Sequence, residues 1–130
     1  MRTLRFLTIQ EVLYFHHAQM EQFGGSMGVR DPGLLESALA QPCASFGGEY
    51  LHRGLFEMAA AYLYHIVQNH PFVDGNKRVG LESALAFLAL NGVEIDAPDD
   101  DLESLVLAVA SGQADKTQAA AFLDKHSRFA

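Results

Sequence analysis

Apolar residues recur with a helical period in six stretches of this chain, and the breaks between them carry residues that start and stop helices. Thr8-Ile9-Gln10-Glu11 is a capping box, in which Thr8 bonds the backbone at Glu11 and Glu11 reaches back. A helix with Val12, Phe15 and Ala18 or Gln19 on one face follows to Phe23, and Gly24-Gly25 ends it. Asp31-Pro32 marks a second start, with aspartate at the N-cap and proline in the first helical position. Leu34, Leu35, Ala38 and Leu39 supply its stripe up to Gln41-Pro42.

Residues 43–53 are the least regular part, and Gly47-Gly48 there predicts a loop or a short hairpin. From about Leu55 to Gln68 almost every position is apolar, so this helix is predicted to lie buried in the middle of the domain. A second such helix runs from about Asn76 to Leu90, carrying Leu81, Ala84, Leu85, Phe87 and Leu88, and stops at Asn91-Gly92. Val93-Glu94-Ile95 reads as a short extended link. Pro98-Asp99-Asp100 opens a further helix ending near Ser111-Gly112, and Asp115-Lys116-Thr117-Gln118 caps a last one through Phe122 and Leu123. The expectation is an all-α, single-domain bundle over residues 1–130, built around a central helix-loop-helix.

Composition narrows the function. With 130 residues the chain holds one core, and a formal net charge of −7 leaves no basic face for general nucleic-acid binding. The single cysteine, Cys43, excludes an intramolecular disulfide and fits a reducing cytosol. Pro42 and Ala44 beside it supply neither a helix N-terminus nor a base, so it reads as a structural thiol rather than a nucleophile. The segment from Met1 to Leu7 is too polar for a signal peptide, and no apolar run reaches membrane-spanning length. A soluble cytoplasmic protein, with no membrane and no direct nucleic-acid partner, is expected. The acidic run Asp99-Asp100-Asp101 reads as a set of helix-dipole partners rather than a metal site.

The chemistry is concentrated between the two central helices, in His70-Pro71-Phe72-Val73-Asp74-Gly75-Asn76-Lys77-Arg78-Val79-Gly80. Asn76, Lys77 and Arg78 fall in a first helical turn, where unpaired N–H groups and the helix dipole bind anions. Gly75 allows a sharp turn and close approach to a phosphate, Arg78 offers a planar fork and Lys77 a mobile point charge. Asp74 is a candidate Mg²⁺ ligand, and His70 is the one side chain here able to take a proton from a hydroxyl near neutral pH. Phe72 is expected to point into the core and fix the loop. Asp-Gly-Asn alone is a common turn. Base, metal ligand and anion site together point further, to a phosphate-handling site.

This loop resembles the signature of the Fic/Doc superfamily. Most Fic proteins carry His-Pro-Phe-x-acidic-Gly-Asn-Gly-Arg, whereas Lys77 stands here in place of the second glycine, as in the Doc (death-on-curing) branch. Similarity to Doc extends over Asp31-Pro32-Gly33 and its helix, Leu55 to Gly92, and Val106 to Gly112. The resemblance implies a helical Fic/Doc bundle, with His70 as base, Asp74 for Mg²⁺, and Gly75, Asn76, Lys77 and Arg78 on the phosphates of ATP. It further implies a toxin of a toxin–antitoxin system: a protein kinase that moves the γ-phosphate to a Thr/Ser hydroxyl of a translation elongation factor and arrests translation. The alternatives it leaves are AMP transfer, as in Fic enzymes, or a catalytically silent module that only binds antitoxin.

Self-inhibited Fic proteins carry a helix with (Ser/Thr)-x-x-x-Glu-(Gly/Asn). Ser45-Phe46-Gly47-Gly48-Glu49-Tyr50 ends in the wrong residue and holds a glycine pair unsuited to a helix. A separate Phd-like antitoxin is therefore the implied partner. Residues 43–53 occupy the place of the family's target-docking flap, where His52 and Arg53 either contact target or nucleotide or are solvated loop residues.

Overall fold

The most apolar stretch of the sequence becomes the central helix. In the computed structural model, which describes residues 3–129, helix α3 (Leu55–Asn69) buries the unbroken run Met58 to Leu63, and Ile66 and Val67 beyond it. Helices α1 (Ile9–Phe23), α2 (Pro32–Ala40), α4 (Asn76–Leu90), α5 (Asp99–Ser111) and α6 (Lys116–Lys125) complete an all-α bundle, with α2, α4, α5 and α6 all packed on α3. Met1, Arg2 and Ala130, counted in the domain above, lie outside the described residues, as does the start of the N-terminal segment judged too polar for a signal peptide. No helix among the described residues is long and apolar enough to cross a membrane.

The two central helices approach closely because α4 presents Gly80 to α3. A Cβ there would stand 3.0 Å from Val67 Cγ2 and 3.3 Å from the Leu63 carbonyl oxygen. At the far end of the pair, Phe87 of α4 packs against the rings of Tyr62 and Phe6, with centroids 5.3 and 5.6 Å away. Burial pushes the Tyr62 phenol up to about 12, so its oxygen stays neutral while accepting the Leu7 N–H at 2.9 Å. Asn91, just past α4, accepts from Arg5 N–H and donates to Arg5 and Phe87 carbonyls. These bonds fasten the N-terminal segment across the end of α4.

The helix signals act where the sequence places them. Thr8 and Glu11 form the capping box, Asp31 accepts from Leu34 N–H at 3.0 Å, and Asp115 and Gln118 cap α6 reciprocally. The three aspartates lie in the first turn of α5, at the positive end of its dipole.

The structure departs from the sequence pattern at α1 and at β3, and it decides between the two alternatives for residues 43–53. The buried face of α1 is Val12, His16 and Met20, while Ala18 is exposed and Phe15 sits at the margin of the core. A histidine stands at the centre of that stripe, which displaces the apolar pattern by one position. Residues 43–53 form the hairpin alternative: β1 (Ser45–Phe46) pairs antiparallel with β2 (Glu49–Tyr50). Gly47 and Gly48 turn it with φ of 61° and 83°, both positive as the tight two-residue hairpin turn requires. Finally, β3 (Val93–Ile95) is no mere link. It pairs antiparallel with β4 (Ser127–Phe129), which follows directly on α6. Strand pairing between segments so far apart leaves no local trace.

Candidate active site

Helix α3 ends at His70, and it ends under constraint. His70 adopts the left-handed conformation (φ 52°, ψ 53°), the only non-glycine residue at positive φ among those described. For a residue with a Cβ this costs about 1–2 kcal/mol, so neighbours must hold it. The holding comes from the α1–α2 connection. Val29 bridges Phe72 in antiparallel register, Val73 N–H donates to the Gly28 carbonyl, and Arg30 and Asp31 N–H both donate to the Pro71 carbonyl at 2.7 and 3.0 Å. The Arg30 guanidinium donates to the carbonyls of His70 (Nε, 2.7 Å) and Asn69 (Nη2, 3.0 Å).

Below the loop, Phe72 is fully buried, as expected, with its ring stacked on His16 at 4.0 Å and 7°. His16 Nε2–H donates to the Asp74 carbonyl at 2.9 Å. Asn76 closes the turn: Phe72 N–H donates to its Oδ1 and its Nδ2 donates to the Phe72 carbonyl. Gly75 (φ 81°) is the N-cap of α4, pressed so closely on Met20 that a Cβ would meet the Met20 sulfur at 3.3 Å.

The six residues read from the sequence, His70, Asp74, Gly75, Asn76, Lys77 and Arg78, all line one open cavity of about 450 Å³, backed by Met20, Val67 and Ala110. No side chain caps α4, and Val79 N–H is the first engaged inside the helix. The first-turn N–H groups therefore open on the cavity with the positive end of the dipole. Asn76 contributes there through its backbone, because its amide is already engaged by Phe72. The Arg78 guanidinium lies 4.3 Å over the Phe23 ring, which steadies it at the cavity mouth. Lys77 and Arg78 also head an apolar groove between α4 and α5, lined by Leu81, Leu102, Val106 and Leu107.

These residues suit a metal-bound polyphosphate. Asp74 is exposed; one carboxylate oxygen accepts Gly75 N–H at 2.9 Å and the other faces Ser26 N–H at 3.4 Å. Lone pairs are left for a hard cation, which takes one or two carboxylates alongside phosphate oxygens. Chemically the cavity joins an exposed imidazole to a cationic anion cradle.

His52 and Arg53 do not line this cavity. Arg53 stays exposed near Glu49, 3.7 Å away. His52 is no solvated loop residue: Lys116 Nζ donates to its Nε2 at 3.2 Å and to His65 Nε2 at 3.0 Å. Burial, then Lys116 and His52, lowers the His65 pKa to about 4. Burial and Lys116 lower that of His52, against the pull of Glu57. Three participants in the main site escaped the sequence reading: His16, Arg30 and Phe23. Their only sequence signal is the spacing of His16 with Val12 and Met20, four residues apart on one helix face.

The fold and this loop are those of a known group. A family model described as the Fic/DOC family matches residues 6–88. The chain is 36% identical over 111 residues to Protein kinase doc of Escherichia phage P1, covering 85% of this chain and 86% of that one. It is 42% identical over 103 residues to Toxin Doc of Mycolicibacterium smegmatis, covering 78% and 79%. The chain belongs to the Fic/DOC family.

Proposed function

We propose that the protein is a Doc-like toxin: a Mg-ATP-dependent protein kinase that phosphorylates a Thr/Ser hydroxyl of a translation elongation factor in the cytoplasm and is held in check by a Phd-like antitoxin. The observation that carries this reading is the meeting of His70, Asp74, Lys77 and Arg78 on one cavity at the uncapped N-terminus of α4. Kinship with proteins named Protein kinase doc and Toxin Doc supports it.

In this reading the first turn of α4 and the Lys77 and Arg78 cations bind and orient the phosphates. Asp74 would hold Mg²⁺, whose charge would offset that of the phosphates. His70 accepts the proton of the target hydroxyl as that oxygen bonds to the γ-phosphorus, and the bond from phosphorus to the ADP oxygen breaks. Lys77 favours transfer of the γ-phosphate over AMP. A long cation stands where a glycine would leave room for α- and β-phosphates close to the backbone.

The test is a paired labelling assay with purified protein, Mg²⁺ and bacterial extract, using ATP labelled at either the γ- or the α-phosphate. A protein of elongation-factor mass labelled only from γ, and not by His70→Ala, is the expected result. Label only from α makes the activity AMP transfer. Absence of both removes the enzymatic reading.

A further inference from the structure

We infer that Arg30 is a positioning residue for His70: its guanidinium sets the backbone angles that aim the imidazole. The role in transfer rests on the function proposed above, while the geometry stands by itself. The φ and ψ of a residue are the relation between the two peptide planes that flank it. The Asn69 carbonyl marks the plane before His70 and the His70 carbonyl marks the plane after. Arg30 holds both oxygens, at 3.0 and 2.7 Å, with a rigid planar fork. A fork of fixed geometry on those two oxygens clamps the dihedral pair between them.

The clamp acts where the chain most needs one. Among the described residues His70 is the one non-glycine residue held at positive φ, and α3 brings no basic residue of its own to its last turn. The C-terminal carbonyls are orphaned there and carry the negative end of the dipole. Arg30 itself is anchored by its N–H, which donates to the Pro71 carbonyl at 2.7 Å. A single residue thus fixes the carbonyls of 69, 70 and 71. Arg30 is exposed, and no carboxylate pairs with it among the described residues, so its charge is directed at the loop alone.

A capping role would be met by any cation near the helix end. A clamp needs the fork. This separates Arg30→Lys from Arg30→Ala. Both variants should bind ATP with a dissociation constant within about twofold of the parent and lose about ten- to a hundredfold in kcat, the scale of a misplaced catalytic group. Lysine, reaching one carbonyl, should recover little of that. In parallel, NMR of ¹³C,¹⁵N-labelled protein reads the His70 Cα and Cβ shifts and the three-bond HN–Hα coupling. Positive φ should be present in the parent and lost in Arg30→Ala. Unchanged kcat, full rescue by lysine, or a His70 still left-handed in Arg30→Ala overturns the inference. If the parent itself transfers no label, the kinase reading fails, and the NMR result alone decides the clamp.

Discussion

Asn76 brackets the backbone of Phe72: the Phe72 N–H donates to Asn76 Oδ1 at 2.9 Å, and Asn76 Nδ2 donates to the Phe72 carbonyl at 3.0 Å. Both groups are buried, so the pair fixes how the motif loop enters α4. Asn76→Asp keeps the acceptor but sets an anion against a carbonyl. It should lower stability by about 1–3 kcal/mol, the range for an unsatisfied buried polar group. Thermal unfolding would show a drop of several degrees. A variant as stable as the parent would show that the bracket contributes nothing to stability.

In the middle of α3, Tyr62→Phe takes the acceptor from a buried Leu7 N–H while leaving the ring in place. The expected loss is about 1–3 kcal/mol, again without change of shape. Denaturant midpoints with an unchanged slope would read it cleanly.

Gly75→Ala and Gly80→Ala test two close approaches. A Cβ on Gly75 meets Met20 and faces the left-handed φ of 81°; one on Gly80 meets Val67 and the Leu63 carbonyl. Each should cost about 1–3 kcal/mol through overpacking. Only Gly75→Ala should also weaken ATP binding, measured by titration calorimetry, because it disturbs the N-cap beside Asp74.

Stability should fall in mild acid through the Lys116 cluster. His65 has its folded pKa lowered from 6.5 to about 4, so above pH 6.5 it is neutral in both folded and unfolded chains. As pH drops from 6.5 towards 4, the unfolded chain takes up the proton first and folding loses ground. The contribution is about 1–2 kcal/mol once partial exposure is discounted. His65→Gln, which still accepts from Lys116, should flatten that stretch of the stability–pH curve. An unchanged slope in the variant would assign it to other groups.

What the sequence reveals here is what is local. The capping pairs at Thr8 and Asp115, the Asp31-Pro32 start and the glycine stops are contained within a few residues, and the helices begin and end there. The α3–α4 core is equally legible, since a helix apolar on every side has nowhere else to go. His16 was hidden because a polar residue interrupts an apolar stripe, though its ring packs as an aromatic against Phe72. The β3–β4 pairing and the Arg30 fork escaped for a different reason: each joins segments remote in sequence. The loop's chemistry was visible in its composition. The geometry that sets it was not.

That remoteness bears on how the molecule comes to be. Helices form from neighbours in sequence, quickly and early. The motif loop is finished only by Arg30, 40 residues away from His70, and by His16, 58 residues away from Asp74. A nascent chain that has already wound α3 still holds a slack loop until α1, the α1–α2 connection and α4 have docked around it. The loop that carries His70 and Asp74 is thus completed by docking of distant segments and not by the helices that flank it.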